Sequence, residues 1–323
     1  MKASRRPEQF RRGIANLFGE KNSLPTFLES LSGSRPSLWL EVAPPRGINP
    51  EPLLKRLSAV VGHADAINLT DNALGRVKMS GIVFGSIIRA RLRIPVVVNF
   101  SCRDRNRLAL KSDLLGAAAL GIDAVVALTG DRIAPGEPSG AHSVHDLDAF
   151  GLLEMIAMLN RGDTGEGKAP LKALPNLVAG AVANPNRGNI EREFQLLERK
   201  ARAGARFVIT QPVFEAETAR RFVARARALG LATMLGIMPV KRESMAAYMR
   251  ERVADLKEAA HHLDRYAGMS EDEVRAESLA QNLALMKALA AEVAGFNIMS
   301  GGGPSLAIEL ALEFSRWRKE SGR

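Results

Sequence analysis

The sequence is short of several things, and each shortage excludes a class of answer. One cysteine, Cys102, stands among 323 residues. No internal disulfide can form, a Cys-rich metal site is excluded, and a reducing cytoplasm suits the chain. Aromatic residues make up only 5%, too few for the stacking platforms that hold single-stranded nucleic acid. No apolar run approaches the roughly 18 residues of a membrane-spanning helix. The N-terminus has no apolar core of the kind a secretory signal needs. Acidic residues are outnumbered 35 to 45, for a formal charge of +10. Residues 1–21 carry six basic and two acidic side chains and residues 313–323 carry four and two, so the ends supply +6 of that charge. The body is only mildly basic, which suits an anionic small molecule better than a nucleic-acid groove. A cytoplasmic protein without nucleic-acid or membrane partners is expected.

What is present is ordinary for an enzyme core, 46% hydrophobic and 25% charged, arranged as an alternation. Short apolar runs read as buried parallel strands at Leu38–Val42, Ala66–Thr70, Pro95–Ser101, Ala124–Thr129, Leu177–Ala183, Arg206–Gln211, Ala232–Met238 and Phe296–Ser300. Helical spacing fills the intervals: Pro50–Val61, Ser80–Leu92, Arg105–Leu120, Leu147–Asn160, Ile190–Ala203, Ala216–Leu229 and Pro304–Lys319, with helical material over Glu243–Ala294. Eight strand–helix units predict a single closed (β/α)8 TIM barrel over residues 35–323, with a helical elaboration before strand eight. An open doubly wound sheet is the alternative, but no G-x-G-x-x-G follows the first strand. Residues 1–34 read as an N-terminal helical extension. Phe10, Ile14, Leu17 and Phe18 share one face beside Arg11 and Arg12, which fits a helix packed on the body or an organelle-targeting peptide. A second short helix spans Ser23–Leu31, with Thr26 and Glu29 spaced as a capping box.

Polar residues end these apolar runs: Glu41, Thr70, Asn99, Asp131, Asn184, Gln211 and Ser300. Any one could be a structural pair; seven at equivalent ends of barrel strands mark a mouth where chemistry sits. Glu41 and Asp131 supply two carboxylates there, and Pro44-Pro45 and Gly130 would fix the backbone beside them. Spacing alone does not name the reaction. Other signals read as incidental. Gly162–Lys168 nearly matches a phosphate-binding loop, but Ala169 replaces the required hydroxyl and no strand leads in. His142 and His145 lack a third metal ligand nearby, and His261 and His262 read as solvated neighbours on a polar helix. No metal site is expected. Gly301-Gly-Gly303 before the last helix suits a phosphate cradle or a plain turn equally.

In order and spacing, Glu41-Val-Ala-Pro-Pro-Arg46, Thr70-Asp-Asn72, Ser101-Cys-Arg-Asp-Arg-Asn106, Leu128-Thr-Gly-Asp131, Asp146-Leu-Asp148, Ala203-Gly-Ala205, Thr210-Gln211 and Gly236-Ile-Met-Pro-Val240 are specific as a set. From about residue 25 to 300 the chain resembles methylenetetrahydrofolate reductases, flavin-dependent barrels that reduce 5,10-methylenetetrahydrofolate to 5-methyltetrahydrofolate. The resemblance implies that Glu41 is the general acid, that Asp131 is the carboxylate beside flavin and pterin, and that Gln211 binds the substrate. It implies cofactor contacts at Thr70, Asn99, Thr129, Asp131, Asp146 and Ala181, with Glu193, Arg199 and Lys200 at the far end of the dinucleotide. FAD is the implied cofactor and NADH or NADPH the co-substrate, in a ping-pong cycle. A homo-oligomer is expected, with a partner subunit as a further option. The chain departs from the family at Asn99, where a His is usual, and at Thr129, where many members have Arg. The loop Ala181–Asn186 lacks a Tyr and a His found in some members, and the Gly-rich turn after strand eight is unusual. These departures imply weaker FAD binding. The rival readings are a flavin-independent relative and a folate-binding subunit of a methyltransferase system.

Overall fold

A computed structural model describes residues 27–33, 35–131, 140–167, 169–301 and 303–322. Eight parallel strands close into a barrel in sequence order, β1 (Ser37–Val42), β2 (Ala66–Leu69), β3 (Val96–Ser101), β4 (Ala124–Leu128), β5 (Val178–Ala183), β6 (Phe207–Pro212), β7 (Ala232–Ile237) and β8 (Gly295–Met299). Pairing of β1 with β8 closes the ring. The helices are α1 (Phe27–Ser32), α2 (Glu51–Leu57), α3 (Gly81–Leu92), α4 (Arg107–Ala119), α5 (Ala149–Asn160), α6 (Ile190–Arg202), α7 (Ala216–Ala228), α8 (Glu243–Arg252), α9 (Glu271–Leu289) and α10 (Ser305–Glu320). The expected barrel is therefore present. The helical stretch before strand eight divides into α8, a 3₁₀ segment Ala254–Tyr266, and α9. Of the two expected N-terminal helices, α1 overlaps the second; its proposed cap Thr26 and the first helix lie outside the described residues. No helix among the described residues is long and apolar enough to cross a membrane.

Strand alternation sorts the side chains into two cores. Leu38, Leu40 and Val42 of β1 point out to the helices, as do Ile67 and Leu69, Val96 and Val98, Val125 and Ala127. The residues between them fill the lumen: Trp39, Ala66, Val97, Ala124, Val126, Phe207, Ile209 and Met234. Helix α1 closes the lower end, where the strands begin. Phe27 stands 5.3 Å from Trp39 and 6.0 Å from Phe207, and Trp39 meets Phe207 edge-on at 5.4 Å. Small lumen residues make room for these rings. A Cβ added at Gly180 would lie 2.2 Å from Cζ of Phe207, so that position must be glycine while the ring stays. The lower lumen is thus a dry aromatic plug.

Above the plug the lumen turns polar. Polar side chains of several helix-entry loops also fix where the helices begin. Asn106, Asp148 and Asn189 each accept a backbone N–H from the first turn of α4, α5 and α6. These caps stand beside the strand ends, so they hold the rim of the mouth in register with the barrel.

Candidate active site

Glu41 follows Trp39 on the lumen face of β1, one layer above the plug. Its register partner on β2 is Asn68. One carboxylate oxygen accepts from Asn297 Nδ2 at 2.8 Å and from Asn68 Nδ2 at 3.1 Å. Asn68 Nδ2 also reaches Asn297 Oδ1 at 3.2 Å, and both asparagines are fully buried. Burial pushes the Glu41 carboxyl above the usual glutamate range, and the Asn297 hydrogen bond opposes this without cancelling it. The result is an acid biased toward its protonated form, with its second oxygen left for a ligand. Neither asparagine stood out in the sequence. Each sits inside an apolar run, Ala66-Ile-Asn-Leu69 and Phe296-Asn-Ile-Met299, rather than at its end. The signal was available in the period-two pattern, which puts both on the lumen face with Glu41.

Two polar atoms in this layer have no hydrogen-bond partner among the described residues, Asn68 Oδ1 and Thr70 Oγ1, and both are buried. Orphaned buried groups are costly and rare in native proteins, and at a mouth they indicate a ligand's place. Asn99, 8% exposed, shares the lumen face of β3. Gln211 continues the lumen face of β6, where the pairing with β7 shifts register between Ile209 and Pro212. Thr210 sustains that irregularity by accepting the Gly236 N–H on its hydroxyl at 2.8 Å.

The motifs after β2 and β3 build the rim. Asp71 accepts the Ser101 N–H at 2.9 Å and pairs with Arg105 at 2.6 Å, while Arg105 also pairs with Asp113 at 2.9 Å. Arg103 pairs with Asp104 at 2.7 Å and donates to the Asn72 carbonyl at 3.0 Å. Cys102 is buried in the core between strands and helices, its thiol donating to the Asp148 carbonyl at 3.5 Å. Burial and the nearby Asp148 carboxylate push its thiol up to about 11, so it is no nucleophile.

Asp131 lies just past β4 and is exposed at the edge of the described residues. The turn before it requires its glycine: Gly130 has φ +82, and a Cβ there would sit 2.1 Å from Ser101 Oγ. Thr129 is occupied locally, its hydroxyl accepting the Ala149 N–H at 3.0 Å where α5 begins. Asp146 accepts the Arg107 N–H at 3.2 Å at the start of α4. Ala181 faces the helices, not the lumen. Glu193 is buried on α6, where it accepts the Asn184 N–H at 3.1 Å and pairs with Arg187 at 2.8 Å and Lys200 at 3.8 Å. Lys200 donates to the Val182 carbonyl at 2.7 Å, and burial holds its ammonium below the usual lysine range. Arg199 is exposed, with its guanidinium 4.0 Å from the ring centre of Phe150. The structure therefore brings Glu41, Thr70, Asn99 and Gln211 to one polar mouth and sets Ala181, Glu193, Arg199 and Lys200 in the wall outside it.

The incidental motifs resolve variously. Gly162–Gly167 is a surface turn. His145 Nε2 lies 3.2 Å from the Gly130 carbonyl, while His142 is exposed. The turn after β8 is laced by Lys241 Nζ, which donates to the carbonyls of Ser300, at 3.0 Å, and Gly303. The reading of His261 and His262 as a solvated pair needs correction. The His262 side chain is only 15% exposed and stacks on Phe214 at 5.5 Å, because the 3₁₀ segment folds back over the loop after β6. Beside it a cavity of about 250 Å³ is lined by Phe214, Met238, Tyr266 and Leu285.

Known proteins fit this picture. A solved protein from Clostridium thermocellum, described as uncharacterized and binding two copies of 5-methyl-5,6,7,8-tetrahydrofolic acid, superposes with a TM-score of 0.56 at 14% identity, covering 91% of this chain and 98% of that one. A 2,3-dimethylmalate lyase superposes at 0.51 with 11% identity, covering 94% and 88%. At such identities the likeness is one of fold. A probable methylenetetrahydrofolate reductase (NADPH) from Caenorhabditis elegans is 28% identical over 149 residues, which are 46% of this chain and 21% of that protein. The match spans about a fifth of that relative's length. The family described as methylenetetrahydrofolate reductase matches residues 27–299, most of the barrel from the plugging helix to the last strand. This chain belongs to the methylenetetrahydrofolate reductase family.

Proposed function

We propose that this chain reduces 5,10-methylenetetrahydrofolate to 5-methyltetrahydrofolate with electrons from NADH or NADPH, or runs the same chemistry in reverse. The observation that carries the reading is Glu41: a carboxyl held by Asn68 and Asn297 over a dry plug and raised above its ordinary range. Reduction requires the methylene bridge to open. Glu41 donates its proton to the bridge nitrogen that leaves, so that nitrogen departs neutral and the one-carbon unit becomes an electrophilic iminium. Gln211 and Asp131 orient the pterin at the same mouth. The neighbour described as binding 5-methyltetrahydrofolic acid and the relative described as NADPH-dependent support the substrate and donor classes.

The mouth fits a flavin at one end. Thr70 Oγ1 and Asn68 Oδ1 are orphaned polar atoms, and Asn99 stands beside them on the lumen face. Thr70, Asn99 and Asp131 would hold the ring system. Bound FAD would accept hydride from the nicotinamide and deliver it to the one-carbon unit. A second reading, direct transfer from nicotinamide to folate, is favoured by a different observation. Lys200 is committed to Val182 and Glu193, and Thr129 to Ala149, so two cofactor positions are already in use. The test is the absorbance spectrum of purified protein together with folate-dependent NAD(P)H oxidation. Turnover that rises with added FAD supports the first reading. Turnover in flavin-free protein, unchanged by FAD, establishes the second. Absence of folate turnover in either state overturns the proposal.

A further inference from the structure

We infer that Glu215, His261 and His262 form a binding site for a divalent transition metal of the zinc class, which ties the loop after β6 to the 3₁₀ segment before β8. Among the described residues these three offer one ligand atom each, all within 4.8 Å of one another. His262 Nε2 and Glu215 Oε1 are 3.5 Å apart, and the two imidazole rings lie with centres 3.9 Å apart. Two histidines and one glutamate are a donor set that zinc uses, with bonds of about 2.0–2.2 Å. Tetrahedral bonds of that length place donor atoms about 3.4 Å apart. The carboxylate–imidazole spacing already matches, and any remaining gap, at most about 1.4 Å between 4.8 Å and the tetrahedral spacing, closes by side-chain rotation.

The site is partly fixed and partly adjustable. Stacking on Phe214 fixes the His262 ring, whereas Glu215 and His261 are exposed and can turn toward it. No fourth protein ligand is needed, because Glu215 and His261 are open to solvent and water can fill the remaining position. Neutral imidazoles with a single carboxylate select zinc, copper or nickel over magnesium and calcium, which want oxygen ligands. The site shares no residue with the Glu41 mouth and does not depend on the folate reading. Its consequence is mechanical: the two ligand-bearing segments are 46 residues apart in sequence, from Glu215 to His261.

Isothermal titration of chelator-treated, full-length protein with zinc chloride tests the site, with magnesium chloride as the control. One zinc per chain and no magnesium response are expected. Cobalt(II) should develop the visible bands of a four- or five-coordinate ion. Glu215→Gln and His261→Ala alter exposed side chains and keep the fold. Each should weaken zinc by at least the roughly 10- to 100-fold that removing even an outer partner of a ligand costs. No zinc response, equal magnesium binding, or zinc affinity unchanged in both variants would overturn the assignment.

Discussion

Replacing Glu41 separates its chemistry from its packing. In Glu41→Gln the amide oxygen can take the position that accepts from Asn297 at 2.8 Å and Asn68 at 3.1 Å, so the polar layer stays intact while the proton is lost. An acid–base group contributes about 10²- to 10⁴-fold, equivalent to about 2.7–5.5 kcal/mol of barrier. Folate-dependent turnover should fall by that amount, while NAD(P)H oxidation with menadione as acceptor, which needs no acid, should persist. Stability should move the other way. A carboxyl whose pKa is raised in the folded state favours folding below the ordinary glutamate range and loses that advantage as pH rises through the folded value. Glu41→Gln should therefore melt higher than the parent at pH 8, and the gap should close toward pH 4. Glu41→Ala is the contrast. It leaves the fully buried Asn297 Nδ2 without its acceptor, at about 1–3 kcal/mol, whereas Asn68 keeps its bond to Asn297. Equal loss of both reactions in Glu41→Gln, with no pH-dependent difference in melting, would show that Glu41 only supports the wall.

Other substitutions probe the frame. Gly180→Ala drives a methyl into the Phe207 ring, which Trp39 and Phe27 prevent from swinging away, and should cost about 3 kcal/mol in urea denaturation; Phe207→Leu in the same chain should recover part of it. Asp71→Ala removes the buried partner of Arg105 and should cost about 3 kcal/mol, read from the shift in urea midpoint. If FAD is the cofactor, the purified protein should be partly colourless. Asn99→His should then raise flavin occupancy by about 10- to 100-fold in affinity, the worth of one or two hydrogen bonds, measured by fluorescence titration.

Strands and helices were legible because a barrel strand is apolar on both faces and its crossover helix carries a different period. Gly130 likewise marked a backbone position with positive φ at the mouth. Reading strand ends identified Glu41 but not the asparagines that hold it, since Asn68 and Asn297 interrupt apolar runs and gain meaning only once the barrel closes β8 against β1. Lys200 is a harder case. A lysine on a highly charged helix has no local mark of burial, and its place beside Glu193 and the Val182 carbonyl depends on how α6 rolls onto β5. His262 escaped for the same reason, since its cover comes from Phe214, 48 residues away.

The aromatic plug under Glu41 also sets the traffic of protons. Trp39, Phe207 and Phe27 offer no relay toward the lower end; the one polar atom among them, Trp39 Nε1, is already bonded to Ser37 at 2.9 Å. With the lower end sealed, Glu41 exchanges protons with water through the mouth. On the proposed function, a folate seated there would close the acid's own supply line. Each visit would then draw on one stored proton, and the store would refill when product leaves, so proton uptake and product release would become the same event.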